Sequence, residues 1–104
     1  MVRMIVSYPS HPGSRFDLDY YLKTHMAMVQ EKLGPHGLTS ASVDQGLGGG
    51  TPGSPARFQI QCMLNFSSLE GMQQGMAAAG AALMADIPNF TDVRPEVQIN
   101  RVVR

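Results

Sequence analysis

The sequence has a single cysteine, Cys62, among its 104 residues. One cysteine excludes an internal disulfide framework and cannot by itself supply a thiolate cage for a metal ion. We therefore expect the fold to be held together by packing alone.

Charge is also scarce: only 15% of the residues are charged, and eight Lys and Arg balance eight Asp and Glu. Because no basic stripe exists to neutralise phosphates or bind an anionic surface, neither nucleic acid nor a membrane is an expected partner. Near-zero net charge with 43% hydrophobic residues gives little self-repulsion, which is tolerable where a partner subunit covers apolar surface. This balance favours an oligomer.

No hydrophobic run is long enough to span a membrane. The apolar stretch at the N-terminal end is far shorter than a signal-peptide core, and no later stretch is longer and equally apolar. We therefore expect a cytoplasmic protein. A chain of this length has room for one core, so we expect a single domain over residues 1–104, which gains from burying a face against a second copy.

Four segments carry strand patterns, and the third of them is the clearest. The predicted strands are Val2–Tyr8, Leu38–Leu47, Phe58–Phe66 and Val97–Val103. Within the third, apolar residues alternate with Gln59, Gln61, Met63 and Asn65, so one face is core and the other is half-polar. A glycine-rich loop over residues 46–55 precedes this strand and lacks the lysine of a phosphate-binding loop.

A helix is predicted from Asp17 to Leu33, because at about 100° per residue the apolar residues fall on one arc. That arc comprises Leu18, Tyr21, Leu22, His25, Met26, Met28, Val29 and Leu33. Asp17 is the expected N-cap, and Gly34-Pro35 is the expected stop.

A second helix is predicted from Ser68 to Ala85. Ser67 to Glu70 fits a capping box, in which the serine oxygen and the glutamate each satisfy a free backbone N–H. The expected buried stripe is Leu69, Met72, Met76, Ala79 and Leu83. Beside it runs a stripe of small residues that would let another backbone or a ligand come close: Gly71, Gly75, Ala78, Ala82 and Ala85.

Strand-helix-strand occurs twice in this order, which predicts an α+β fold of the ferredoxin-like βαββαβ type, with an antiparallel four-stranded sheet and two helices on one face. The other sheet face would carry Gln59, Gln61, Met63, Asn65, Gln98 and Asn100. Such a face is too polar for a monomer core, yet it can pack against a copy of itself. We expect two sheets to meet face to face in a dimeric α+β barrel.

Several segments, which together span most of the chain, resemble the EthD family. They are Tyr8-Pro9, Phe16-Asp17, Tyr20-Tyr21, His25-Met26, Leu33-Gly34-Pro35 and Asp86-Ile87-Pro88-Asn89-Phe90-Thr91. The resemblance implies a dimeric α+β barrel, and the family is named for association with the oxidative degradation of an ether through a cytochrome P450 system. Wider similarity to quinone-forming monooxygenases, haem-degrading enzymes and lactone isomerases is an analogy of fold.

The chain departs from the family at one point: it has His25-Met26-Ala27 where the family often shows His-x-Pro. We expect the missing proline to leave the helix straighter near His25 and to alter the pocket.

His25 is the leading candidate for a functional role, because it lies mid-arc facing the predicted sheet, where an imidazole needs a partner. It would suit proton transfer or the orientation of a polar ligand atom. The alternative is a core histidine satisfied by a backbone carbonyl or by Asp86. Asp86 would either orient His25 in a catalytic pair or cap the N–H groups of Asn89 or Phe90.

Apolar walls for a ligand are expected from Tyr8, Phe16, Tyr21, Met28 and Phe90. The two tyrosines add hydroxyl groups that a ligand could contact. The alternative is that these side chains are ordinary core.

No metal site is expected, because His11, His25 and His36 lack the spacing of ligands. No cofactor is expected either, although one axial imidazole in an apolar pocket is all that some haem sites need, so haem at His25 stays an alternative. Cys62 is expected to be a buried hydrophobe without a role.

Three functions remain open at this point. The first is an oxidoreductase resembling a monooxygenase, or an isomerase, acting on a small apolar organic molecule with His25 as acid/base. The second is a non-catalytic carrier or an accessory subunit of an oxygenase system, in which His25 only hydrogen-bonds the ligand. The third is a structural role alone, favoured if Met28, Met76 and Phe90 fill the space around His25.

Overall fold

Four antiparallel strands form one sheet with the spatial order β2-β3-β1-β4. The computed structural model describes all 104 residues. The strands are β1 (Val2–Pro9), β2 (Leu38–Gln45), β3 (Phe58–Phe66) and β4 (Glu96–Arg101). β2 ends before the predicted Leu47, which is 99% exposed, because the glycine-rich loop begins there.

Two helices lie on one face of this sheet. Helix α1 is continuous through three segments, Leu18–Tyr20, a π-helical turn at Tyr21–His25, and Met26–Leu33. Helix α2 spans Leu69–Asp86. Short 3₁₀ turns follow them at Gly34–His36 and Ile87–Asn89. The predicted ferredoxin-like βαββαβ fold is confirmed.

The caps of the two helices agree with the sequence to different degrees. The Asp17 carboxylate accepts the Tyr20 N–H at 3.0 Å, as predicted for the N-cap of α1. The capping box at Ser67 is wrong by one residue, because Ser68 is the N-cap of α2 and its Oγ accepts the Gly71 N–H at 3.0 Å. Glu70 then lies too early to close the box.

Near His25, where the missing proline was expected to leave the helix straighter than in the family, α1 is not a regular α-helix. The Met26 N–H bonds to the Tyr21 carbonyl, five residues earlier, so the helix widens into a π turn. The wider turn brings Tyr21, His25 and Met26 onto the buried side and leaves Leu22, predicted on the buried arc, 48% exposed.

The apolar core lies between the helices and the sheet. From β3 it takes Ile60, Cys62, Leu64 and Phe66, which confirms the predicted alternation. From α2 it takes Met72, Ala79 and Leu83, whereas Leu69 is 46% exposed, contrary to the predicted stripe.

Two of the five small residues predicted to form a stripe on α2, Gly71 and Gly75, permit a close helix contact, whereas Ala78, Ala82 and Ala85 are exposed. A Cβ on Gly71 would lie 2.5 Å from the His36 carbonyl oxygen, and one on Gly75 would lie 2.9 Å from the His36 Cβ. The turn that ends α1 can therefore rest directly on α2.

The other sheet face is uncovered and mainly polar. Side chains on it bond to one another: Arg3 Nε donates to Asn65 Oδ1 at 2.7 Å, and Gln61 Nε2 donates to Ser7 Oγ at 3.1 Å. At its centre a half-buried apolar pair, Ile5 and Met63, stands directly opposed across β1 and β3. We call this surface the open face. No helix of the protein has the length and hydrophobicity that crossing a membrane requires.

Candidate functional site

A cavity of about 80 Å³ lies between the helices and the sheet. Fifteen residues line it, and all of them except His25 are hydrophobic. The hydrophobic ones are Met4, Val6, Tyr8, Tyr21, Met26, Val29, Leu33, Cys62, Leu64, Met76, Leu83, Met84, Ile87 and Val97. Met84 of α2 and Val97 of β4 are each 50% exposed, so the cavity opens to solvent between these two elements. An apolar chamber with one strongly polar group is the usual composition of a small-molecule site.

His25 reaches this cavity from the end of the π turn. Its side chain is only 8% exposed, and its ring stacks on that of Tyr21, with centroids 5.4 Å apart and planes within 15°. π turns inside α-helices are frequent at functional sites, because the extra residue re-aims side chains at some cost in helix regularity. Here the turn places His25 over the sheet.

Asp86, the last residue of α2, holds the His25 ring in place. Its Oδ2 lies 2.8 Å from His25 Nδ1. Its Oδ1 accepts the Tyr20 hydroxyl at 2.7 Å and the Asn89 amide at 2.9 Å. Three donors thus surround the Asp86 carboxylate. They stabilise its negative charge at the C-terminal end of α2, where the helix dipole alone would disfavour a negative charge.

The protonation of this pair follows from the hydrogen bonds. Partial burial raises the pKa of Asp86, but the bonds from Asn89, His25 and Tyr20 outweigh burial and lower the pKa overall. Because the carboxylate is then ionised at neutral pH and can only accept, His25 Nδ1 must carry the proton. No protein group bonds to Nε2, so this atom is an acceptor whenever the ring is neutral.

The loop after α2 fixes the position of Asp86. The Asp17 N–H donates to the Phe90 carbonyl at 2.7 Å, and the Thr91 hydroxyl donates to the Arg15 carbonyl at 2.6 Å. These bonds clamp the loop to the chain just before α1. The segment that resembles the EthD motif therefore ties the two helices together at the site.

An aromatic shell packs behind His25. The Phe90 ring centroid lies 4.7 Å from that of His25, and Phe16 packs against Phe90 and Tyr21 at 5.4 and 5.2 Å. Of the predicted wall residues, Tyr8 and Tyr21 line the cavity, whereas Phe16 and Phe90 form this shell outside it. Met28 is half-buried and does not line the cavity.

The other titratable groups on the cavity wall stay protonated. Burial raises the pKa of Tyr8 and of Tyr21 far above the neutral range, and the neighbouring Cys62 raises both further. Burial likewise raises the pKa of Cys62 to about 11. A thiol and two phenols in this state are hydrogen-bond donors rather than nucleophiles or bases.

The model of the EthD domain matches residues 14–94. This chain belongs to the EthD family. No match is found among curated protein sequences.

Solved structures agree with this assignment. An EthD-like protein from Ralstonia eutropha JMP134 is 37% identical to this EthD-family chain, with 99% of this chain and 92% of that chain covered at a TM-score of 0.91. An ethyl tert-butyl ether d (EthD) family protein from Bacillus halodurans C-125 is 21% identical, with 99% of each chain covered at 0.68. A dimeric ferredoxin-like protein from an uncultured marine organism is 12% identical, with 99% and 95% covered at 0.62, which shows a shared fold.

Two residues of this EthD-family site were missed by the sequence reasoning. Tyr20 and Asn89 both hydrogen-bond Asp86, and the bond to Asp86 is the main reason that the pKa of Tyr20 is raised. The three-residue spacing of Asp86 and Asn89 within one turn is a signal that could have found Asn89. Nothing local in the sequence singles out Tyr20, because its partner is 66 positions away.

The cavity beside His25 is small, and few potential metal ligands surround it. A cavity of about 80 Å³ is far smaller than the roughly 300–1,000 Å³ of typical ligand and cofactor sites. No three His, Cys, Asp or Glu side chains gather where they could bind a metal ion.

Proposed function

We propose that this EthD-family protein binds a small, mainly apolar organic molecule in the cavity between its helices and sheet, and that His25 exchanges a proton with it as acid/base. The observation that carries the proposal is the bond from His25 Nδ1 to Asp86 Oδ2, which leaves Nε2 free on a side chain that lines an otherwise apolar chamber. In this arrangement Nε2 takes a proton from an acidic O–H or C–H group of the ligand. The imidazolium so formed is stabilised by the Asp86 carboxylate.

Such a proton transfer serves two reaction classes. In an isomerase the proton returns at another ligand atom, and in an oxidoreductase its removal leaves an anion that transfers its electrons to dioxygen bound as co-substrate. Cys62 is protonated at neutral pH, so covalent catalysis by its thiol is not part of the proposal.

Retention of a cavity beside His25 argues against a purely structural role. Phe90 packs on the His25 ring, and Met76 contributes to the wall, but Met28 lies outside and the space stays open. Four of the lining residues are methionines, whose flexible side chains allow the chamber to widen around a ligand.

Binding can be tested with the methionines themselves. Met4, Met26, Met76 and Met84 line the cavity, whereas Met1, Met28, Met63 and Met72 do not. With ¹³C-methyl-methionine protein, titration with benzene should shift the first four methyl resonances in NMR spectra and leave the others in place. Shifts spread over both sets, or no saturable shift, would refute binding in the cavity.

The acid/base role has a separate test. The ring hydrogens of resorcinol exchange with D₂O faster once one of its hydroxyl groups has lost its proton. If His25 removes that proton, wild-type protein should accelerate the exchange and the His25→Gln variant should not. His36→Gln, at the turn after α1 and outside the cavity, is the matched control. Equal acceleration by wild type and His25→Gln would rule out the base.

The alternative function is a carrier or an accessory subunit of an oxygenase system. The small cavity and the protonated state of Tyr8, Tyr21 and Cys62 favour it, because binding needs no reactive group other than a hydrogen-bonding one. Specific benzene shifts without any acceleration of resorcinol exchange would select this alternative.

We also propose that the protein is a homodimer through its open face, forming the α+β barrel. The Ile5 and Met63 pair is surrounded by polar side chains that already bond to one another, which is the pattern of an interface with an apolar centre and a polar rim. The 12%-identical structure of the same fold is described as dimeric.

A substitution at the centre of the open face tests the dimer. Met63→Lys should raise the dimer dissociation constant by roughly 100-fold, because a lysine without a counter-charge would be buried at the interface. Gln73→Lys, exposed on α2, is the control that adds the same charge elsewhere. Light scattering after size-exclusion chromatography over a dilution series measures the effect, and an unchanged dimer in Met63→Lys would exclude this face.

A further inference from the structure

Two apolar residues of the edge strand β4 continue the mouth of the cavity along the outside of the protein. Val97 and Ile99 lie on the helix-covered side of β4, opposite Val6 and Met4 of β1, which both line the cavity. Val97 lines the mouth, and Ile99 is the next residue on the same side of the strand, beyond the cavity. Their exposed fractions are 50% and 49%. We call this pair the apolar strip.

The apolar character is confined to one side of β4. Glu96, Gln98 and Asn100, which alternate with the strip, belong to the open face and are polar. β4 is an edge of the sheet, and the helices leave its cavity side half uncovered. Single apolar side chains on a surface are ordinary, but exposed apolar residues that continue the wall of a cavity are typical of a ligand-binding groove.

The enclosed part of the cavity is too small for most organic molecules. Its volume is about 80 Å³, whereas an apolar cavity of about 150 Å³ in another protein holds one benzene molecule. The methionines of the wall can move to admit a ring, but little more. A larger ligand must therefore leave through the mouth between Met84 and Val97, where the apolar strip begins.

We infer that the ligand is elongated, with a head no larger than about one ring in the cavity and an unbranched alkyl tail that lies on the apolar strip. This inference rests on the proposed binding in the cavity. The strip is one strand wide, which fits a chain better than a second ring. A polypeptide would have to bring its polar backbone to the apolar mouth, and a second copy is proposed on the opposite face of the sheet.

The length of the tail follows from the geometry of the strand. Val97 and Ile99 are separated by about 7 Å along β4, and two extended residues span about six backbone bonds. An alkyl chain of about six carbons covers the same distance. The next residue on this side is Arg101, which is exposed and pairs with Val2. Its guanidinium ends the apolar surface.

A series of para-alkylphenols tests the inference, because its members share one head and differ only in an unbranched tail from ethyl to octyl. Affinity for the wild-type protein should rise about twofold per carbon, which is less than the roughly fourfold of a fully buried methylene, since the strip covers one side of the tail. The rise should stop at about six carbons. In the methionine-methyl titration, the shift of Met84 at the mouth should depend on tail length, and that of Met26 should not.

A substitution in the strip separates this contact from general hydrophobic attraction. Ile99→Asn should weaken the binding of para-hexylphenol roughly fivefold and leave that of phenol within about twofold. Leu69→Asn is the matched control, because Leu69 is 46% exposed and lies at the opposite end of α2 from Met84, and it should change neither affinity. Ile99→Thr, which keeps the branched shape that strands favour, replaces Ile99→Asn if that variant misfolds.

NMR cross-relaxation gives a direct readout of the contact. The terminal methyl group of para-hexylphenol should show cross-relaxation with the methyl groups of Ile99 and none with those of Ile5, which lies on the open face. Cross-relaxation with Ile5 alone would place the tail on the wrong face of the sheet and overturn the inference.

The outcomes separate this inference from the proposed function. If affinity does not depend on tail length, if Ile99→Asn and Leu69→Asn weaken para-hexylphenol binding equally, or if benzene shifts the four cavity methionines and no alkylphenol does, the alkyl tail is refuted while cavity binding stands. If neither benzene nor any alkylphenol shifts these methionines, both are refuted.

Discussion

On the helix-covered side of β3, Cys62, Leu64 and Phe66 are between 0% and 4% exposed, whereas Gln61, Met63 and Asn65 between them are half-buried on the open face. Neighbouring side chains of β3 thus lie in two different environments. The covered side is apolar, encloses the cavity and carries His25 above it. The open side is polar, already hydrogen-bonded within the chain, and available for a second copy.

The difference places the proposed ligand site and the proposed dimer interface on opposite faces of the sheet. Because side chains alternate across a strand, a substitution on one face leaves the other face in place. The effects of substitutions on stability, on the site and on assembly should therefore be separable.

The largest expected effect is on the covered face. Phe66→Ala should lower the free energy of unfolding by about 3–5 kcal/mol, because it removes a fully enclosed ring and leaves a cavity. Urea denaturation followed by circular dichroism, at fixed protein concentration, measures it.

The neighbouring residue on the open face is the control for that change. Asn65→Ala removes hydrogen bonds with Arg3 and Ser40 that are partly exposed and should cost only about 1 kcal/mol. If Phe66→Ala and Asn65→Ala lower the free energy of unfolding equally, the two faces of β3 do not differ in their contribution to stability.

A second, smaller effect concerns the carboxylate that holds His25. Asp86→Asn should lower the free energy of unfolding at neutral pH by about 1–3 kcal/mol, because three donors lose a charged acceptor. The folded-state pKa of Asp86 lies below its ordinary value of 3.8. The carboxylate therefore stabilises the fold above that value, and its contribution is lost as the pH falls through the lowered pKa.

The pH dependence gives this prediction its control. The gap between wild type and Asp86→Asn should narrow as unfolding is measured from neutral pH to well below pH 3.8. Asp19→Asn breaks only an exposed pair with Lys23, in which both side chains are 76% exposed, and should change stability by less than about 0.5 kcal/mol. If the difference in unfolding free energy between wild type and Asp86→Asn stays constant with pH, the Asp86 carboxylate does not stabilise the fold through its ionised form.

The smallest effect lies in the helical layer over the covered face. Gly80→Ala should stabilise the protein by about 0.5–1 kcal/mol through helix propensity, because the new Cβ would meet only the flexible end of Met76 at 3.3 Å. Gly71→Ala should instead destabilise it, since its Cβ would lie 2.5 Å from the His36 carbonyl oxygen. Thermal unfolding of both variants compares them, and a stabilising Gly71→Ala would disprove the close helix contact.

The elements with a strict period were predicted well from the sequence. The alternation from Ile60 to Phe66 defines a buried face because strand side chains alternate regardless of what packs on them. The βαββαβ order followed from six such segments. The sequence also indicated that His25 and Asp86 could be neighbours, and the structure brings them to 2.8 Å.

Features that depend on competition between local and tertiary contacts were not predictable in the same way. The cap of α2 lies at Ser68 rather than Ser67, because either serine can supply the oxygen and the adjoining chain decides. The π turn at Tyr21–His25 has no sequence period of its own, so an ordinary helical arc wrongly included Leu22.

By itself the sequence determined the order of strands and helices, the apolar side of the sheet and the identity of the one histidine that faces it, because these follow from residue spacing along the chain. Only the tertiary structure decided that Tyr20 and Asn89 join His25 on Asp86 and that a cavity remains beside them. Hydrogen-bond partners far apart in sequence, and the space left between packed side chains, depend on how two helices settle on a sheet, which no local pattern encodes.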